Sequence, residues 1–93
     1  MAKMAFEVFG KVQGVFFRKH TRLTAKKHGL VGWVMNTERG TVVGEAQGPE
    51  EGVAALKHWL QHTGSPKSRI DRAEFRGEGP AARLDFSGFK VRR

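Results

Sequence analysis

The sequence predicts an α+β sandwich of order βαββαβ, in which an antiparallel sheet carries two helices on one face. Three observations point there: strand-like runs alternate apolar and polar residues, two other segments follow helical spacing, and glycine-containing connections separate them. With 93 residues, 39% of them apolar, the chain has material for a single domain spanning 1–93 with one modest core.

The first strand is read from Met4 to Val12, where Met4, Phe6, Val8, Gly10 and Val12 alternate with Glu7 and Lys11. A helix follows from about Phe16 to His28, with Phe17, Thr21, Ala25 and His28 on one face and Gly29 closing it. Leu30 to Asn36 and Thr41 to Gln47 are β-rich runs around Thr37-Glu38-Arg39-Gly40, a hairpin connection. The second helix opens at Gly48-Pro49-Glu50-Glu51, where proline suits the first helical position and two carboxylates suit the positive end of the helix dipole. Val53, Leu56 and Leu60 form its apolar stripe, and Gly64-Ser65-Pro66 ends it.

A fourth strand is placed within Ser68 to Arg76, a turn at Glu78-Gly79-Pro80, and the last strand at roughly Arg83 to Arg92. In that last run Leu84 and Phe86 stand on even positions but Phe89 and Val91 on odd ones. An inserted residue at Ser87-Gly88 restores both pairs to one face, which reads as a β-bulge. Right-handed crossovers make 4-1-3-2 the expected strand order, the split βαβ or ferredoxin-like arrangement. That arrangement hosts many activities, so function must be argued from side chains.

No cysteine is present, which excludes disulfides, thiolate metal sites and cysteine nucleophiles. Lys and Arg outnumber Asp and Glu by 17 to 9, so the surface attracts anions such as nucleic acid, an anionic membrane or a phosphorylated metabolite. Met1-Ala2-Lys3-Met4 runs directly into a strand pattern, and no apolar stretch suits a signal peptide or a membrane span, which predicts a cytoplasmic protein.

The chemistry concentrates at Gly10-Lys11-Val12-Gln13-Gly14-Val15-Phe16-Phe17-Arg18, a strand joined to a helix through glycine. Such a junction presents unpaired backbone N–H groups where the helix dipole favours an anion, and glycine lets a ligand approach closely. Arg18, one turn into the helix, adds a planar fork that matches phosphate oxygens. The run is not a Walker motif: three residues separate Gly10 from Gly14, and Val15 stands where Lys-Ser/Thr is needed. Asn36, an amide ending the apolar run Gly32-Trp33-Val34-Met35, either initiates the turn or holds a water through its paired donor and acceptor.

Together these segments resemble the acylphosphatase family. Gly10 to Arg18 is similar to its first signature and Gly29-Leu30-Val31-Gly32-Trp33-Val34-Met35-Asn36 to its second. Gly40 to Gly44, Gln47 to Glu51 and Gly64 to Asp71 also resemble its small animal-type members, while Arg92-Arg93 replaces the aromatic ending common there. The resemblance implies hydrolysis of acyl phosphates to carboxylate and inorganic phosphate. Arg18 then binds the phosphoryl group with the backbone of Gln13, Gly14, Val15, Phe16 and Phe17, and Asn36 orients the attacking water. It further implies a monomer with no metal, cofactor or covalent intermediate. Inorganic phosphate is then both product and competing ligand, and neither a membrane nor a specific nucleic acid is a partner. A carboxylate leaves readily, so positioning and charge stabilisation suffice for the chemistry.

Two other readings compete. An RRM-like RNA-binding module shares the element order and the basic charge, but its third strand carries aromatics that Thr41 to Gln47 lacks. A regulatory domain that binds phosphate without turnover differs from the enzyme only in activity. His58 and His62 stand four apart on the second helix without an evident third metal ligand. His20 and His28 are read as packing or surface residues, Trp33, Phe16 and Phe17 as core, and Asp71 and Glu74 as carboxylates without a catalytic counterpart.

Overall fold

The computed structural model describes all 93 residues. The elements are β1 (Ala2–Lys11), α1 (Phe17–Lys27), β2 (Val31–Asn36), β3 (Val42–Gly48), α2 (Glu50–His62), β4 (Arg69–Pro80) and β5 (Phe89–Arg92). The sheet order is β4-β1-β3-β2-β5, so the expected 4-1-3-2 arrangement forms its body and the last strand adds a fifth position beside β2.

The period-two pattern of β1 sends Met4, Phe6 and Val8 into the core, and Val12, one residue past the strand, is buried with them. Its partners obey the same parity: Phe6 pairs Gly44, which in turn pairs Val34. A Cβ on Gly44 would stand 2.4 Å from the Phe6 ring, so this glycine makes room for the aromatic side chain. Phe17, Thr21 and Ala25 bury one side of α1, and Gly52, Val53, Leu56 and Leu60 bury one side of α2. The apolar members of both helices join Met4, Phe6, Val8, Val34, Val42, Ala46 and Phe89 in one cluster, which puts the helices on a single face. Pro49 is the N-cap of α2 rather than its first residue, and Glu50 and Glu51 occupy the first turn as expected. His28 caps α1 in a half-buried position instead of lying on its packed face.

The C-terminal third departs from the sequence reading. Glu78-Gly79-Pro80 is not a turn but the end of β4, paired with β1 through Lys3–Gly79 and Ala2–Pro80. The last strand is only Phe89–Arg92, and it runs parallel to β2, so the sheet is mixed rather than wholly antiparallel. Leu84 is 41% exposed and lies outside any strand, hence the phase shift near Ser87-Gly88 marks a bend into β5 and not a bulge. Register shifts instead occur in the β1–β4 pairing, between Lys3 and Ala5 and between Phe9 and Gly10. The short β5 is tied to α1: Arg22 Nε donates to Phe89 O at 3.2 Å and Arg18 Nη1 to Arg92 O at 3.4 Å. The Arg92 guanidinium also lies 4.5 Å from the centre of the Trp33 ring. The basic ending thus packs through a cation–π contact of Arg92, in place of the aromatic ending common in the family it resembles.

Candidate active site

Between β1 and α1 the chain makes two left-handed steps, Gly14 at φ 73° and Phe16 at φ 57°. Glycine adopts this conformation freely, but for Phe16 it costs roughly 1–2 kcal/mol. Phe16 is 74% exposed, which overturns its assignment to the core; Phe17 is the ring that packs inside, 5.4 Å from Trp59. Trp33 is only half-buried and its indole N–H donates to Glu45 Oε2 at 2.9 Å, away from the helix-covered face.

No backbone N–H from Gln13 to Phe16 donates to another protein group, and the first helical bond of α1 runs from His20 N to Phe16 O at 3.1 Å. The loop and the first turn therefore end in unclaimed donors. Beside them opens a cavity of about 350 Å³ lined by Val12, Gly14, Phe16, Phe17, Arg18, Lys19, Asn36 and Val91. The lining is apolar, basic or amide, with no carboxylate, so its field favours an anion. Arg18 forms no ion pair, and its one contact is the long bond to Arg92 O, which leaves its fork free for a ligand. Asn36 reaches the same cavity from the end of β2, and its buried Oδ1 has no hydrogen-bond partner. A buried amide oxygen without a donor is a place for a water.

Arg18 and Asn36 thus line one cavity, together with Gly14, Phe16 and Phe17. Val15 is buried, and the Gln13 side chain turns away from the cavity: its Nε2 donates to Thr37 O and Thr41 O, both at 2.9 Å. Sequence reasoning missed Lys19 and Val91 as lining residues. Lys19 stands beside Arg18 and was within reach of the helix argument, whereas Val91 arrives only through the parallel placement of β5.

The remaining candidates are elsewhere. His58 and His62 lie exposed on α2 with ring centres 4.7 Å apart, and no group of three metal-capable side chains forms anywhere in the chain. Asp71 and Glu74 pair with Arg69 and Arg72 on the surface. Glu7 is different: only 8% exposed, its Oε2 accepts from Thr41 Oγ1 at 2.6 Å and from Arg39 Nη2 at 2.7 Å. The Thr41 and Arg39 hydrogen bonds hold its carboxyl below the ordinary glutamate value against the opposing effect of burial. No helix is long and apolar enough to cross a membrane.

Comparison with known proteins agrees with this fold. A sequence model described as Acylphosphatase matches residues 4–91. Acylphosphatase-1 of Mus musculus is 55% identical over 98% of this chain and 92% of its own length. Acylphosphatase-1 of Homo sapiens is 57% identical over 92% of this chain and 87% of its own. Among solved structures, an acylphosphatase from Bacillus subtilis superposes with a TM-score of 0.89 at 31% identity, covering both chains completely. One from Coxiella burnetii gives a TM-score of 0.87 at 35% identity over 98% of this chain and 92% of that one.

Proposed function

The chain belongs to the acylphosphatase family and hydrolyses acyl phosphates to a carboxylate and inorganic phosphate, and we propose that a water held at Asn36 attacks phosphorus directly. The phosphoryl group rests against the free amides of Gln13 to Arg18 and the Arg18 fork, which carry the charge on its equatorial oxygens. The Asn36 carboxamide accepts a hydrogen bond from the water and keeps its lone pair toward phosphorus. As the new P–O bond forms, the P–O bond to the acyl group breaks and its electron pair leaves with the carboxylate. Both water protons end on the phosphate product. The carboxylate needs no general acid, so neither a metal nor a covalent intermediate enters this route.

One arrangement supports the reading: Arg18 and Asn36 line the same carboxylate-free cavity at the N-terminus of α1. Hydrolysis of a simple aromatic acyl phosphate such as benzoyl phosphate, in the presence of a chelator, tests it. Turnover should be undiminished by the chelator and competitively inhibited by inorganic phosphate; dependence on added metal would overturn the direct route. The same proposal has the enzyme act as a cytoplasmic monomer whose charge steers small phosphorylated substrates and serves no specific nucleic acid. Sedimentation and cell fractionation test those two placements, and titration with RNA tests the last.

A further inference from the structure

The two halves of the site come from separate elements, the β1–α1 loop and the end of β2. A water can attack in line only if its holder and the phosphate cradle keep their spacing to within about half an ångström. One side chain spans the gap. Gln13 donates both protons of its amide, one to Thr37 O and one to Thr41 O, each at 2.9 Å. Thr37 follows Asn36 directly, and Gln13 precedes Gly14 directly.

The far end of the link is anchored. Thr41 Oγ1 gives its single proton to Glu7 Oε2 at 2.6 Å, so the 2.6 Å contact between the two threonine hydroxyls has Thr37 as donor. A directed chain therefore runs from Thr37 through Thr41 to a carboxylate on β1, the strand that also leads into Gln13. Arg39, in the same hairpin connection, closes on that carboxylate at 2.7 Å. The hairpin is thus fastened to the middle of β1 through Glu7 and to the loop that follows β1 through Gln13, the only side chain of that loop that reaches across.

We propose that the Gln13 side chain is a positioning residue that sets the spacing between the phosphate-binding loop and Asn36, with Thr41 and Glu7 as its buried anchor. The inference rests on the water-holding role of Asn36. Two N–H donors on one nitrogen fit two carbonyls: glutamate offers none, methionine offers none, and asparagine is a methylene short. Thr37 O and Thr41 O also accept from Gly40 N at 3.3 Å and Thr37 N at 2.9 Å, so losing Gln13 leaves each carbonyl with a partner and the fold in place.

The test is a double-mutant cycle on the full chain with benzoyl phosphate as substrate. Gln13→Met should lower kcat about 10-fold to 100-fold while KM and inhibition by inorganic phosphate change less than about 3-fold. In the Asn36→Ala background the same substitution should cost less than about 3-fold, because there is no longer a held water to misplace. Equal losses in both backgrounds, or an unchanged kcat, would overturn the positioning role. If Gln13→Met does not fold, Thr41→Val keeps the carbonyl that Gln13 reaches but removes the hydroxyl that anchors it to Glu7, and should show the same coupling, with Thr41→Ser restoring activity. Full activity of Asn36→Ala alone would instead remove the water-holding role, and this inference with it. A normal cost for Asn36→Ala beside an uncoupled Gln13 loss would remove only the inference.

Discussion

Replacing Arg18 by alanine separates catalysis from folding, because the guanidinium does almost nothing for the folded state. It pairs with no carboxylate, and its one hydrogen bond, to Arg92 O, is 3.4 Å long and exposed. Removing so long a bond at the surface should change stability by no more than about 0.5 kcal/mol. The cavity tells otherwise for activity. Its lining holds only one other cationic side chain, Lys19, so a doubly charged phosphoryl group loses its only bidentate partner. Loss of one such donor to developing charge costs about 2.7–4 kcal/mol, or roughly 100-fold to 1000-fold in kcat. Phosphate affinity should fall in parallel by about tenfold, or about 1.4 kcal/mol. Arg18→Lys should recover little, since an ammonium cannot reproduce the fork. Steady-state kinetics on benzoyl phosphate, phosphate inhibition and thermal unfolding together provide the assay. Near-normal turnover in both variants would refute the reasoning, and a large drop in melting temperature would show that Arg18 is structural.

For Asn36, alanine should lower kcat at least tenfold more than it weakens phosphate inhibition, and aspartate should be no better despite its basicity, because it sets a negative charge beside an anionic substrate. The reverse pattern, lost inhibition with intact kcat, would make Asn36 a binding residue. Inorganic phosphate at ten times its dissociation constant should stabilise the fold by about 1.4 kcal/mol and raise the melting temperature roughly 5–10 °C. Chloride at equal ionic strength is the control, and an equal rise there would argue against a preformed cradle. The Glu7 carboxyl is held below its ordinary value, so its contribution is present above the unfolded-state value near 4.5 and fades as pH falls through the folded one. Thermal unfolding from neutral pH down to about pH 3 should therefore show a shallower acid limb in Glu7→Gln than in the native chain. Parallel limbs would count against that linkage.

The sheet body was legible because local periodicity and burial coincide there. Met4, Phe6 and Val8 of β1 and Val53, Leu56 and Leu60 of α2 point inward as their spacing requires. The C-terminal third misled for a physical reason: β5 has four residues and a parallel partner more than fifty positions away in sequence, so nothing local marks its register or direction. Leu84 and Phe86 looked like a continuing strand, but apolar residues in a bend follow the same alternation by chance. Phe16 misled differently. Its type favours burial, yet the left-handed step that exposes the loop amides turns its ring outward.

By itself the sequence determined the chemistry on offer: a glycine-bearing strand-to-helix junction with Arg18 behind it, an amide closing an apolar run, no thiol, and an excess of positive charge. These follow from residue type and short-range order, which a linear pattern carries. Only the tertiary structure decided which groups share a cavity, that Val91 closes one side of it, and that Gln13 reaches Thr37 and Thr41 instead of a ligand. Those relations join residues 18 to 79 positions apart (Asn36 from Arg18, Val91 from Val12), and contact at such separations is set by sheet pairing and core packing, which no local period encodes.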